Sequence, residues 1–97
     1  MTTEVKIEIF PWLSRALEKE GKVILTENIR KGENLKSLIE RIASKYIGLG
    51  AMIYDTKREI LYDTVVVFVN NQPVAKDLKL KVKGGDKIVM TPYYSGG

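Results

Sequence analysis

The residues best suited to chemistry in this sequence are its last two, Gly96 and Gly97. Glycine has no Cβ, so a Gly-Gly end is a thin thread able to enter a narrow channel and to take backbone conformations closed to other residues. A terminal carboxylate has a reference pKa of about 3.3 to 3.7, is ionised at neutral pH, and is a poor electrophile. Acyl chemistry at Gly97 therefore needs an activator such as ATP to supply a leaving group, and that activator must be brought by another protein. The bland alternative is a frayed end with two idle glycines.

The remaining residues argue against catalysis by the chain alone. Cys and His are both absent, which excludes disulfides, zinc-thiolate sites, side-chain persulfides and thiol catalysis, and removes the usual neutral-pH general base. No bound cofactor or metal is expected. A formal charge of +4 can steer an acidic partner but is not the concentrated footprint of a nucleic-acid binder, so nucleic acid is not an expected partner. With 44% apolar and 29% charged residues, the 97-residue chain should form one self-sufficient domain. The start MTTEVKIEIF has no basic leader before an apolar stretch, and no run approaches the ~20 apolar residues of a membrane span, so a cytoplasmic protein without a membrane partner is expected.

The elements that must position the terminus can be read in order. Val5, Ile7 and Ile9 alternate with charged residues, as in a strand with one buried face. Pro11 ends it, Trp12, Leu13, Ala16 and Leu17 suggest a helical turn before Gly21, and Lys22 to Thr26 reads as a second strand. Asn34 is a good N-cap for a main helix whose stripe is Leu35, Leu38, Ile39, Ile42, Ala43 and Tyr46, with Gly48 and Gly50 as its stop. Residues 51 to 63 read as a loop with room for a brief strand. Val65 to Val69 is a strand apolar on both faces, and Asn70-Asn71-Gln72-Pro73 supplies turn chemistry. Leu78, Leu80 and Val82 alternate with Lys79, Lys81 and Lys83, a lysine face that must look at solvent. Gly84-Gly85-Asp86 turns the chain into a last strand, Lys87 to Met90.

A hairpin, a crossover helix and then further strands let the last strand lie parallel to the first in the middle of one sheet. The expected fold class is α+β, a β-grasp: a mixed sheet against one main helix. The domain should span residues 1–91. Pro92 cannot donate to a ladder, so residues 92–97 should form a flexible Gly-Gly tail.

Asn70 in a turn after a Val-rich strand, Gly85-Asp86 before a last strand, Pro92 and terminal Gly96-Gly97 are the residues through which the whole chain resembles the ubiquitin-like sulfur carriers, among them the small subunit of molybdopterin synthase. The resemblance implies adenylation of Gly97 by an E1-like enzyme using ATP, conversion to a thiocarboxylate, and sulfur donation in molybdenum or tungsten cofactor biosynthesis. It also implies two partners, the adenylating enzyme and the large synthase subunit, and makes this chain a sulfur-carrying subunit that is not catalytic alone. The other readings are a ubiquitin-like modifier, in which a substrate lysine captures the same acyl group, and a carrier serving thiamine or tRNA thiolation. The chain's length and its 48–63 insert lean away from the shorter thiamine carrier.

A sheet with its helix on one side leaves the other face without intramolecular cover. Val66 and Phe68, joined by Phe10 and Val89, are candidates for a partner-docking patch, unless residues 51 to 63 cover them. Tyr93 and Tyr94 are candidate aromatic anchors.

Overall fold

The structure, a computed structural model, describes residues 3–93. Strands β1 (Glu4–Ile9) and β2 (Val23–Asn28) form an antiparallel hairpin bridged by a 3-10 turn, Leu13–Leu17. Helices α1 (Leu35–Lys45) and α2 (Ile47–Ile53) follow, then a two-stranded hairpin of β3 (Tyr54–Asp55) and β4 (Ile60–Leu61). The chain returns through β5 (Val65–Val69) and β6 (Gln72–Pro73) and ends in β7 (Lys87–Pro92). The main sheet has five strands in the order β2-β1-β7-β5-β6, with β7 parallel to β1 and antiparallel to β5. This is the expected β-grasp.

Alternation decides the two faces. Val5, Ile7 and Ile9 of β1, Val65, Val67 and Val69 of β5, and Ile88 and Met90 of β7 turn inward to one core with Leu35, Leu38, Ile39 and Ile42 of α1. α1 begins where the Asn34 side chain accepts the Ser37 N–H at 2.8 Å, which satisfies a first-turn donor that has no helical partner. Two more first-turn donors, the N–H groups of Leu35 and Lys36, reach the carbonyls of Leu80 and Leu78 at 2.7 and 2.9 Å. The 78–83 segment thus caps the helix by its main chain, with Leu78 and Val82 buried and Leu80 left 48% exposed. Among the described residues no helix is long and apolar enough to cross a membrane.

Two sequence expectations are corrected here. Gly48 and Gly50 do not stop the main helix, which ends at Lys45; they lie inside α2. A Cβ on Gly50 would sit 2.7 Å from the Ala43 Cβ, and one on Gly48 would sit 3.3 Å from the Ala16 carbonyl. Close packing of α2 on α1 requires the glycine at 50, and at 48 a side chain would press on the carbonyl of the 3-10 turn. Residues 51 to 63 are correspondingly not a loop: they complete α2 and form the β3–β4 hairpin. Tyr54 and Leu61 join the core, and the Tyr54 hydroxyl donates to Glu40 of α1 at 2.8 Å. Tyr54 and Leu61 hold the segment to the core, and its end, Leu61 and Asp63, lines a cleft together with Val66.

Candidate functional site: the strand that carries the terminus

β7 leads to the C-terminus, and its start is fixed by a clasp. Asn70 and Asn71 adopt φ values of +50° and +70°, the positive values a two-residue hairpin turn requires between Val69 and Gln72. Asn enters this region more readily than most residues. The turn places Asn70 beside the head of β7, where its Nδ2 donates to Asp86 Oδ1 at 2.9 Å and its Oδ1 accepts the Lys87 N–H at 3.0 Å. Asp86 Oδ2 accepts the Lys83 N–H at 2.8 Å. Gly85 has φ +90°, a conformation that would strain any side chain, and its N–H reaches the Glu4 carbonyl at 2.8 Å. Asn70, Gly85 and Asp86, separate motifs in the sequence, are thus one device that sets the register of β7 between β1 and β5.

At the far end the strand runs further than the sequence suggests. Thr91 and Pro92 pair with Val66 and Val65, and the Tyr93 N–H donates to the Thr64 carbonyl at 2.8 Å. Pro92 is tolerated because the donors of Thr91 and Tyr93 alternate toward β5, so the missing Pro92 N–H faces the β1 side, where β1 has already ended at Ile9. β7 therefore includes Pro92, and the Tyr93 N–H continues its pairing with the β5 side. The expected site residues Gly96 and Gly97, and Tyr94, lie outside the described residues.

The outer face gathers most of the expected docking residues. Phe68 pairs with Val89, Val89 with Glu8, and Glu8 with Ile24, a row crossing four strands. Val66 and Phe68 are half-buried, whereas Val89 is buried, so the patch presents Phe68 more than Val89. Phe10 is half-buried at the tail end, its N–H bonded to the Met90 carbonyl at 3.0 Å, and Tyr93 is 60% exposed. The row is interrupted by a fixed charge: Glu8 meets Lys22 Nζ at 3.0 Å and Lys87 Nζ at 3.3 Å. The hydrogen bond from Lys22, and then that from Lys87, hold its carboxyl below the usual range.

Two surface residues escaped the sequence reading. Ile24, 55% exposed, extends the row onto β2; the two-residue alternation of Lys22 to Thr26 against the inward Val23 and Leu25 was the available signal. Trp12 sits at the tail end with φ +83° and 45% exposure, although its spacing with Leu13, Ala16 and Leu17 suggested an inward helical face. Nothing in the spacing marks a positive φ at Trp12.

No family model and no curated protein sequence matches this chain. Solved structures do. Small archaeal modifier protein 1 (SAMP1) of Haloferax volcanii superposes with a TM-score of 0.78 at 17% identity, covering 97% of this chain and 99% of its own. The chain has the ubiquitin-like β-grasp fold. A chain from the BexX/CysO complex of Amycolatopsis orientalis superposes on the same fold with a TM-score of 0.70 at 26% identity, covering 96% of this chain and 99% of its own. Urm1 of Trypanosoma brucei gives 0.72 at 16% identity, covering 98% and 96%.

Proposed function

We propose that this ubiquitin-like protein is a sulfur carrier whose working group is the Gly97 carboxylate, serving as the small subunit of a molybdopterin-forming synthase. The observation that carries the reading is the placement of β7: the central strand, clasped at its head by Asn70 and Asp86, passes through Pro92 and Tyr93 directly into Tyr94-Ser95-Gly96-Gly97. A carboxylate oxygen attacks the α-phosphorus of ATP held by an E1-like enzyme, and pyrophosphate leaves. Sulfide then attacks the acyl carbon, the bond to AMP breaks, and loss of the sulfur's proton leaves the thiocarboxylate. The row from Phe68 to Ile24, with Phe10 and Tyr93, is the surface on which the adenylating enzyme and the large synthase subunit dock.

Incubation with an active cognate E1-like enzyme, ATP and a sulfide donor should release pyrophosphate and raise the intact mass by the difference between one sulfur and one oxygen. Deleting Gly97, or adding a residue after it, should abolish both signals, because the acyl group is lost or moved out of register. An unmodified wild type, or an extended variant adenylated as well as wild type, defeats the reading. A second reading, conjugation of Gly97 to substrate lysines, is favoured by the likeness to SAMP1, a modifier protein by name; a lysine-linked product without a thioacid would select it.

A further inference from the structure

The end of the domain opposite the tail is a basic pole built from two turns that the main chain holds together. Val82 N–H donates to the Glu33 carbonyl at 3.0 Å, and Lys81 bridges antiparallel to Asn34. The 29–34 turn therefore lies against the 79–86 segment. The head of β1 closes on the same place, through Gly85 N–H to Glu4 and Lys6 N–H to the Asp86 carbonyl. This brings Arg30, Lys31, Lys81 and Lys83 to one end, with Lys6 beside them, and all five are exposed. None of the five forms an ion pair among the described residues. The carboxylates close by are Glu33, buried against Arg41 and Ser37, Asp86, bound by Asn70 and the Lys83 N–H, and Glu4 at the head of β1. Five exposed cations thus face Glu4 and Asp86 here, since Glu33 is paired with Arg41, and the pole keeps a positive excess.

We propose that this pole is an electrostatic docking site for an acidic surface on the enzyme that activates the tail, an inference that rests on the carrier reading above. β7 begins at the pole and ends at Pro92, a separation of roughly 20 Å over its six residues. A protein partner that grips the tail and the outer face is large enough to reach both ends, and the pole orients the domain before the tail is threaded. The chemistry of the pole favours a protein over nucleic acid. Among the described residues it carries no exposed aromatic on which bases could stack; the large apolar side chain exposed there is Leu80.

A docking charge remote from the reaction should act on encounter and not on chemistry. In pyrophosphate exchange with the cognate enzyme, the double variant Lys81→Glu/Lys83→Glu should raise KM about tenfold or more while kcat stays within about twofold. Salt should lower kcat/KM steeply for wild type and little for the variant. Lys57→Glu/Arg58→Glu, the same charge change at the tip of the β3–β4 hairpin, should change KM far less. Equal KM changes in the two double variants, or none in the first, overturn the pole. If circular dichroism shows the glutamate pair unfolded, the neutral Lys81→Gln/Lys83→Gln pair is read in the same way. Salt-sensitive binding of a single-stranded RNA 30-mer, lost in Lys81→Glu/Lys83→Glu while KM is unchanged, would assign the pole to nucleic acid instead. A wild type that the enzyme never adenylates rejects the carrier reading, and the docking role with it.

Discussion

Asn70 Nδ2 lies 2.9 Å from Asp86 Oδ1, a bond between residues 16 positions apart that ties the β5–β6 turn to the turn entering β7. The same side chain accepts the Lys87 N–H, so one amide serves both a neighbouring carboxylate and the first main-chain donor of the strand that carries the terminus. A carboxylate alone could not do both, since it has no donor.

Asn70→Gly keeps the positive φ while removing both side-chain bonds, and should cost about 1–2 kcal/mol of stability. Asn70→Ala should cost more, because it adds the penalty of a positive φ on a residue with a Cβ. Denaturant unfolding gives the ordering, and amide exchange at Ile88 to Met90 shows whether the head of β7 loosens. Equal stability of both variants and wild type would mean that the clasp does not hold the strand.

Glu33 is the most deeply engaged acid, with a side chain only 3% exposed. Burial opposes its ionisation, yet the Arg30 N–H, Ser37 and Arg41 outweigh burial and hold the carboxyl below its ordinary value of 4.5. A carboxyl with a depressed folded pKa stabilises the fold above the unfolded value and loses that contribution as pH falls through the folded one. Stability should therefore decline below about pH 4.5. Glu33→Gln should lose about 2 kcal/mol at neutral pH and show a shallower acid limb. Parallel pH–stability curves for the two proteins would remove Glu33 as a cause.

Gly50→Ala tests packing against propensity. Alanine normally stabilises a helix interior by about 1 kcal/mol over glycine. Here the new Cβ would meet Ala43 at 2.7–2.8 Å, including its backbone Cα and carbonyl oxygen, so α2 must move away from α1. The expected result is a loss of about 1–3 kcal/mol, measured by thermal or denaturant unfolding. A gain in stability would show that the two helices separate freely.

That variant also marks where the sequence was legible. Strict alternation in β1, the N-cap and stripe of α1, and the β-branched run of β5 each report a local rule, and local rules gave the sheet and its helix. Gly48 and Gly50 follow the opposite logic: a helix-stop signal was overridden by tertiary contact with Ala43 and Ala16, which no spacing within the helix reveals. Pro92 is similar. Its missing donor matters only if something lies on that side, and the end of β1 decides the point. The site was legible as residue types, since Asn70, Gly85, Asp86 and the outer-face Phe68 were all singled out. Their union into a clasp needed the register of β5 against β7.

Phe68→Asp separates docking from folding. On β5 the inward Val67 and Val69 are buried while Phe68 is half-buried on the outer face, between Pro73 of β6 and Val89 of β7. Replacing it removes part of an aromatic contact and should cost about 1–2 kcal/mol, leaving a folded domain by circular dichroism and amide exchange. At a partner interface the new carboxylate would be desolvated without a counter-ion, a loss of about 3 kcal/mol or more, so affinity for the adenylating enzyme should fall about a hundredfold. Phe68→Leu keeps an apolar side chain and should bind within about tenfold of wild type. Val67→Asp, with its charge driven into the core, should unfold and shows what a core position looks like in the same assays. Normal binding by Phe68→Asp would remove the outer face as the docking surface; unfolding of Phe68→Asp together with Val67→Asp would place Phe68 in the core.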